Sequence, residues 1–290
     1  MKLTVNGQVI SGQFALFAEE VLLPKVYYQQ FLNGEIDPLQ FREKMLTDHS
    51  LDAYFGGDKR NYDRIPKTPL DEKMPADAIF RYLVDNNIIP DCDNMYNGFD
   101  EYRQYIRKNY DHGDFFTCIF PEDERLIYAA AQVKQPNEVF VAGAYYGFIA
   151  VWVMKTVAEN GGMCVLSDID EEVCKLAKIN FEKLGYSGNS AIYCESAEIL
   201  LANRTKPIDM LILDPTGDRN DPRPEYRGKN VYALCLRAAK HLLQKGSMIV
   251  VHNMSYEDPE LESLVTELQE INALGTAYTT FNGLGVYVVH

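Results

Sequence analysis

Two glycines four residues apart, three strand-end acids and a histidine–asparagine pair are the residues whose types and spacing could do chemistry in this chain. Gly143-Ala144-Tyr145-Tyr146-Gly147 follows the apolar run 139–142 and leads into another apolar stretch, 148–153. In a strand–turn–helix of this kind, Gly143 lets the backbone pass close to a ligand, and Gly147 lets the new helix pack tightly on the sheet. Asp168 ends the next apolar run, and a carboxylate at that tip can accept from both hydroxyls of a ribose. Asp170 reads instead as a helix N-cap, with Glu171 and Glu172 in the first turn beside the positive end of the dipole. Glu195-Ser196, Asp214 and His252-Asn253 close three further apolar runs, 190–194, 208–213 and 247–251. His252 is the candidate proton acceptor, because an unperturbed imidazole titrates near neutrality and strand tips face a crevice. His49, His112, His241 and His290 have no such placement and read as surface or structural.

The elements that must position these residues alternate. Strand, helix, strand and acid over 139–184 make a βαβ unit, and the rhythm continues to the end of the chain. Polar residues at the carboxyl tips of four or five parallel strands converge on one edge, which is the ligand edge of open α/β sheets. The last two apolar runs, 277–281 and 286–289, flank Asn282-Gly283, a hairpin signal. The expected fold is α/β and Rossmann-like, a mostly parallel seven-stranded sheet ending in an antiparallel hairpin.

Residues 120–290 resemble class I S-adenosylmethionine (SAM) dependent methyltransferases, and the turn Gly143-Ala-Tyr-Tyr-Gly-Phe148 is similar to the catechol and caffeoyl-CoA O-methyltransferase branch. The resemblance rests on the order of the motifs: the glycine turn, the acid after the second strand, Asp214 after the fourth, Lys245-Gly246 before the fifth, and the terminal hairpin. It implies that Gly143, Ala144, Tyr145 and Gly147 line the methionine end of SAM. Asp168 would hold the ribose, Glu195 and Ser196 the adenine, and Asp214 would form the floor of the active site.

The chain departs from that branch at several positions. Val141 stands where catechol-type enzymes carry a glutamate for the methionyl amine, Ile149 where they carry a serine, and Gly217 near the place of their lysine base. Their metal site uses an Asp-Asn pair that here reads His252-Asn253. Replacing a carboxylate by imidazole removes a hard anionic ligand that Mg²⁺ prefers. Catechol chemistry is therefore not expected, and neither is a metal. Asp214, His252 and Asn253 remain as catalytic or substrate-orienting candidates.

At 290 residues and 47% hydrophobic composition the chain exceeds one ordinary domain and can bury a substantial core. The formal charge of −14 is spread over both halves with no basic stripe, which argues against nucleic acid as a partner. No apolar run approaches membrane-spanning length and the first residues lack a signal-peptide core, so a cytoplasmic, membrane-free location is the expectation. The six cysteines (92, 118, 164, 174, 194 and 235) lack Cys-x-x-Cys spacing and read as reduced and buried.

Residues 1–115 form a helical N-terminal region, with helices expected over 10–31, 38–45 and 75–87 and a Gly/Pro-broken loop over 55–69. By the resemblance this region is a lid or substrate-selecting unit over the SAM-binding domain at 116–290, and it could equally form a homodimer interface. Aromatic residues cluster at 96–116. Tyr145, and after it Tyr105 or Tyr110, are the candidates to face a sulfonium cation, although aromatics at helical spacing usually pack a core. Arg219, Arg223 and Arg227, in the long loop after Asp214, could receive a carboxylate.

The leading expectation is methyl transfer from SAM to a small-molecule acceptor, without a metal. A second is intramolecular cyclisation of SAM to azetidine-2-carboxylate with release of methylthioadenosine, since Val141 leaves the methionyl amine unrestrained. A third is a SAM-binding scaffold without turnover.

Overall fold

The computed structural model describes residues 2–5, 8–11, 21–36, 38–51, 69–115, 119–254, 258–278 and 283–290. Its main sheet is built from β3 (Glu138–Ala142), β4 (Met163–Asp168), β5 (Ser190–Cys194), β6 (Ile208–Leu213), β7 (Leu243–His252), β8 (Ala273–Tyr278) and β9 (Leu284–Val289). Their spatial order is β5-β4-β3-β6-β7-β9-β8. The first five run parallel, and β9 is antiparallel to both β7 and β8. This is the Rossmann-like sheet with a terminal hairpin that the sequence predicts. Chain order reverses at β3, so its tip and that of β6 form the switch point where such sheets open a crevice.

Every residue of β3 is buried, the mark of a central strand covered on both faces. Side chains alternate between two cores. Val139, Val141, Met210, Ile212, Met248, Val250 and Val286 face one. Phe140, Ala142, Leu211, Leu213, Ile249, Val251 and Tyr287 face the other. The first face is covered by residues of α3 (Pro69–Asp85), α4 (Phe99–Asn109), α5 (Pro121–Lys134), α6 (Val151–Glu159) and α7 (Glu171–Lys183). The second is covered by α8 (Ala197–Asn203), α9 (Val231–Ala239) and α10 (Glu262–Glu270). Helices α3 and α4, which the sequence reading groups with the N-terminal region, thus share one apolar cluster with the sheet.

Two expectations need correction. Of the helix expected over 10–31, Ile10 and Ser11 belong instead to β2 (Gln8–Ser11), which pairs with β1 (Lys2–Val5); α1 (Val26–Leu32) falls within the expected span, and residues 12–20 lie outside the described residues. Asn6-Gly7, between the two strands in sequence, is a turn signal that apolar spacing alone passes over. Lys245-Gly246 does not precede a strand but lies inside β7, where Gly246 has φ 86° and the register with β6 shifts between Ile208 and Met210. Two steps along β6 there face five along β7, from Leu243 to Met248, so the irregularity absorbs three extra residues. The second expected helix is present as α2 (Pro38–Thr47), and the third begins earlier, at Pro69. Most of the expected 55–69 loop, together with Phe116, Cys118 and Asn282, lies outside the described residues. Among the described residues no helix is long and apolar enough to cross a membrane.

Candidate active site

The glycine turn follows β3 directly. Gly143 has φ 73°, and a Cβ there would stand 2.4 Å from Pro215 N and Cα. The close approach that requires glycine is therefore to the chain itself, where the tips of β3 and β6 meet and the Asp214 N–H donates to Ala142 O at 2.9 Å. At Gly147 (φ 87°) a Cβ would meet Phe181 Cε2 at 2.8 Å and the Tyr110 hydroxyl at 3.1 Å, so this glycine serves packing on α7 and on Tyr110 more than on the sheet. Tyr145 holds φ 51° without being glycine, a conformation that costs a residue with a Cβ about 1–2 kcal/mol. Its N–H donates to Asp168 Oδ2 at 2.7 Å, a charge-assisted bond that offsets the strain.

Asp168 ends β4, and its other oxygen, Oδ1, accepts from the Asp170 N–H at 3.2 Å. Burial lifts its pKa, and backbone N–H groups of Asp170, Tyr145 and Ile169 oppose the rise. Asp170 caps α7 as expected, its Oδ1 accepting from Glu172 and Val173 N–H. Asp168 is thus oriented by the turns on either side of the crevice before any ligand arrives.

A cleft of about 250 Å³ opens beside it, lined by Gly143, Ser167, Asp168, Ile169, Glu195 and Ser196 on one wall and by Pro215, Thr216, Asp218, Asp221 and Tyr226 on the other. Of the expected site residues, Gly143, Asp168, Glu195 and Ser196 line this cleft; Ala144, Tyr145, Gly147, Asp214, His252 and Asn253 do not. Its ionisable lining includes Asp168, Glu195, Glu198, Asp218 and Asp221, and no Lys, Arg or His. Five carboxylates would repel the pyrophosphate of a dinucleotide, while hydroxyl donors and a cation are well received. Ile169, 74% exposed, leaves an apolar face uncovered at the cleft, a surface against which the plane of a base can lie. Its signal in the sequence is slight, an apolar residue between the two acids Asp168 and Asp170.

No protein-family model matches the sequence, and no curated protein does either. Solved structures do align with it. An O-methyltransferase from Bacillus cereus in complex with SAH is 14% identical over 76% of this chain and 100% of its own, with a TM-score of 0.47. An SAH-bound methyltransferase from Podospora anserina is 13% identical over 78% and 98%, with a TM-score of 0.49. A methyltransferase from Geobacter sulfurreducens is 18% identical over 73% and 96%, with a TM-score of 0.48.

Beyond the cleft lies a charged cluster. Asp214 Oδ1 stands 3.0 Å from His252 Nδ1 as an ion pair without hydrogen-bond alignment, accepts from Lys229 Nζ at 3.2 Å, and lies 3.2 Å from the Tyr232 hydroxyl, which also reaches His252 O at 2.9 Å. Burial alone would lift the Asp214 carboxyl, but the His252 and Lys229 cations outweigh it and hold the group below its ordinary range. His252, 1% exposed, lies between two acids, its Nε2 being 3.3 Å from Asp123 Oδ2. Burial opposes its charge, yet Asp214 and Asp123 prevail and push its pKa up to about 10. The proton-acceptor role expected for His252 does not fit this setting, because an imidazolium near neutrality already holds the proton. Among the described residues no group of three acid, His or Cys side chains is arranged to hold a metal ion. Asn253 follows at φ 55°, half-buried at the tip of β7.

Lys229 was not legible as a site residue, since fifteen positions separate it from Asp214. The loop between them is closed by a bridge in which Gly217 and Gly228 exchange backbone hydrogen bonds of 2.9 and 3.3 Å. A Cβ on Gly217 would fall 1.7 Å from Tyr226 O. Glu260 then accepts the Lys229 N–H at 2.6 Å. Two of the loop's three arginines are occupied within it: Arg223 pairs with Asp221 at 3.0 Å and covers the Tyr226 ring, and Arg227 Nε donates to Asp221 O at 2.6 Å. Tyr226 donates to Glu198 on α8, which draws the loop across the cleft.

The aromatic candidates separate. Tyr145 is 41% exposed and Tyr105 43%, whereas Tyr110 is buried with its hydroxyl donating to Tyr146 O at 2.6 Å. His112 lies 2.8 Å from the Tyr146 hydroxyl, in keeping with a structural role.

Proposed function

We propose that this protein binds SAM in the cleft beside Asp168 and transfers its methyl group to a small-molecule acceptor without a metal. The observation that carries the reading is a nucleoside-sized cleft at the switch point that combines a pre-oriented carboxylate, an exposed apolar face and an acidic lining free of basic groups. In this reading Asp168 accepts from the ribose hydroxyls, Ile169 lies against the adenine, and Glu195-Ser196 meet its edge. Gly143, Ala144, Tyr145 and Gly147 shape the methionine end, with the exposed Tyr145 ring available to the sulfonium. SAM brings an already activated methyl group, so the protein's task is alignment, worth about 7–11 kcal/mol at best.

Asp214 is kept ionised by His252 and Lys229 and presents an oxygen that can orient an acceptor's O–H or N–H. The two cations already neutralise Asp214 and Asp123, which supports a metal-independent site. Residues 1–115 select the acceptor: Tyr110, just after α4, donates to the glycine turn, and Asp111 exchanges hydrogen bonds with Asn180 of α7.

The test is calorimetric titration with SAM and SAH, followed by mass spectrometry of SAM incubated with the protein alone and with pools of amine, phenol and carboxylate acceptors. Micromolar binding, SAM left intact without acceptor, and SAH formed with one are expected. Absence of binding would sink the cofactor assignment, and enzyme-dependent methylthioadenosine without acceptor would replace transfer by cyclisation. Asp168→Ala is expected to weaken SAH binding by about tenfold to a hundredfold, the value of a charge-assisted hydrogen-bond pair. Unchanged affinity would remove Asp168 from the ribose.

A further inference from the structure

Two thiols stand behind the wall of the cleft, and the mechanism uses neither. Cys194 is the last residue of β5 and pairs in register with Asp168 of β4. Cys174 lies in the first turn of α7 and is 2% exposed. Its Sγ is 3.7 Å from Asp168 O and 3.6 Å from Tyr193 O. Cys194 Sγ is 3.5 Å from Ile169 O, so the two sulfurs contact carbonyls of successive residues, and Cys174 also reaches the carbonyl of Tyr193, the neighbour of Cys194. The backbone they hold is that of Asp168 and Ile169, which line the cleft. Contrary to the expectation that the cysteines are buried, Cys194 is exposed.

We propose that Cys174 and Cys194 form a reactive dithiol that peroxide-class oxidants convert to a disulfide, and that the bond loosens the Asp168–Asp170 turn and with it the cleft. Cys194, the exposed sulfur, meets the oxidant first. Its thiolate attacks the peroxide O–O bond, forming a sulfenic acid and releasing water or an alcohol. Cys174 sulfur then attacks the sulfenic sulfur, and the hydroxyl leaves as water with the proton that Cys174 gives up. Burial, followed by the proximity of Cys194, pushes the Cys174 thiol up to about 12, so Cys174 acts as the resolving partner and not as the first sulfur attacked. Once joined, neither sulfur carries a proton to donate to the Asp168 or Ile169 carbonyl. Reducing compartments keep such bonds transient, which suits a switch.

The experiment is peptide mapping by mass spectrometry of the full chain after hydrogen peroxide and again after dithiothreitol, with amide exchange of segment 168–172 and SAH titration on each sample. A Cys174–Cys194 linkage, faster exchange in 168–172 and SAH binding weakened about tenfold are expected, all reversed by the reductant and absent in Cys194→Ser. Oxidation of Cys194 without linkage, or linkage with unchanged exchange, would overturn the proposal. The affinity arm alone rests on the SAM reading: reduced protein that binds no SAH would defeat that reading, while linkage and exchange would still judge the dithiol.

Discussion

Replacing His252 by Gln is expected to lower the unfolding free energy by about 3–5 kcal/mol, the cost of leaving a buried charge without its partner. Asp123 is fully buried and accepts from the Phe120 N–H at 2.8 Å in its capping role, and the imidazolium of His252 stands 3.3 Å from the same carboxylate. Asp214 keeps Lys229, but loses the cation nearest to it. Without the imidazolium, two carboxylates remain on either side of a neutral amide. Urea unfolding of H252Q measures the loss, and adding Asp123→Asn should recover part of it. A variant as stable as the parent would show that the imidazole is not the cation between these acids.

The same pair predicts a pH dependence. His252 has a folded pKa of about 10 against about 6.5 when unfolded. The folded state therefore binds the proton more tightly, and its contribution is fully present below about pH 6.5 and is lost as pH rises toward 10. Stability should decline over that window in the parent and be flatter in H252Q.

Gly143→Ala is expected to cost about 2–5 kcal/mol and to abolish cofactor binding. Two terms act together: a left-handed backbone that a Cβ disfavours, about 1–2 kcal/mol, and overpacking against the Asp214-Pro215 backbone, about 1–3 kcal/mol. Backbone at 2.4 Å cannot rotate away as a side chain would, so the tips of β3 and β6 must part, and the cleft lies between them. Gly161→Ala separates the terms. Gly161 also has a positive φ, 66°, but nothing stands within 4 Å of its Cβ position, so this variant should show the strain alone and bind SAH normally. Thermal unfolding and SAH titration of both variants check the expectation; equal behaviour would remove the crowding at Gly143 as the cause.

How much of this was legible in the sequence follows from the range of the forces involved. Strands β5 and β6 match their apolar runs residue for residue; β6 does so as a central strand covered on both faces, which is written as a continuous apolar segment, whereas β5 is the half-exposed edge of the sheet. The N-cap of Asp170 is equally local, since its partners lie two and three residues away. Asp168 at the β4 tip followed from the strand–turn–helix order, and so did the convergence of Gly143, Glu195 and Ser196 on one cleft. The β1–β2 hairpin was missed because Ile10 fits a helical stripe as well as a strand, and only pairing across Asn6-Gly7 decides between them.

What the tertiary structure alone decided is the state of the charged cluster. Asp123, His252 and Asp214 are separated by 129 and 38 positions, and Lys229 reaches Asp214 only through the Gly217–Gly228 closure. A histidine at a strand tip reads as a base when its neighbours are unknown. Enclosed by two carboxylates at 1% exposure it is a cation, because desolvation and Coulomb attraction depend on separations in space that sequence distance does not encode.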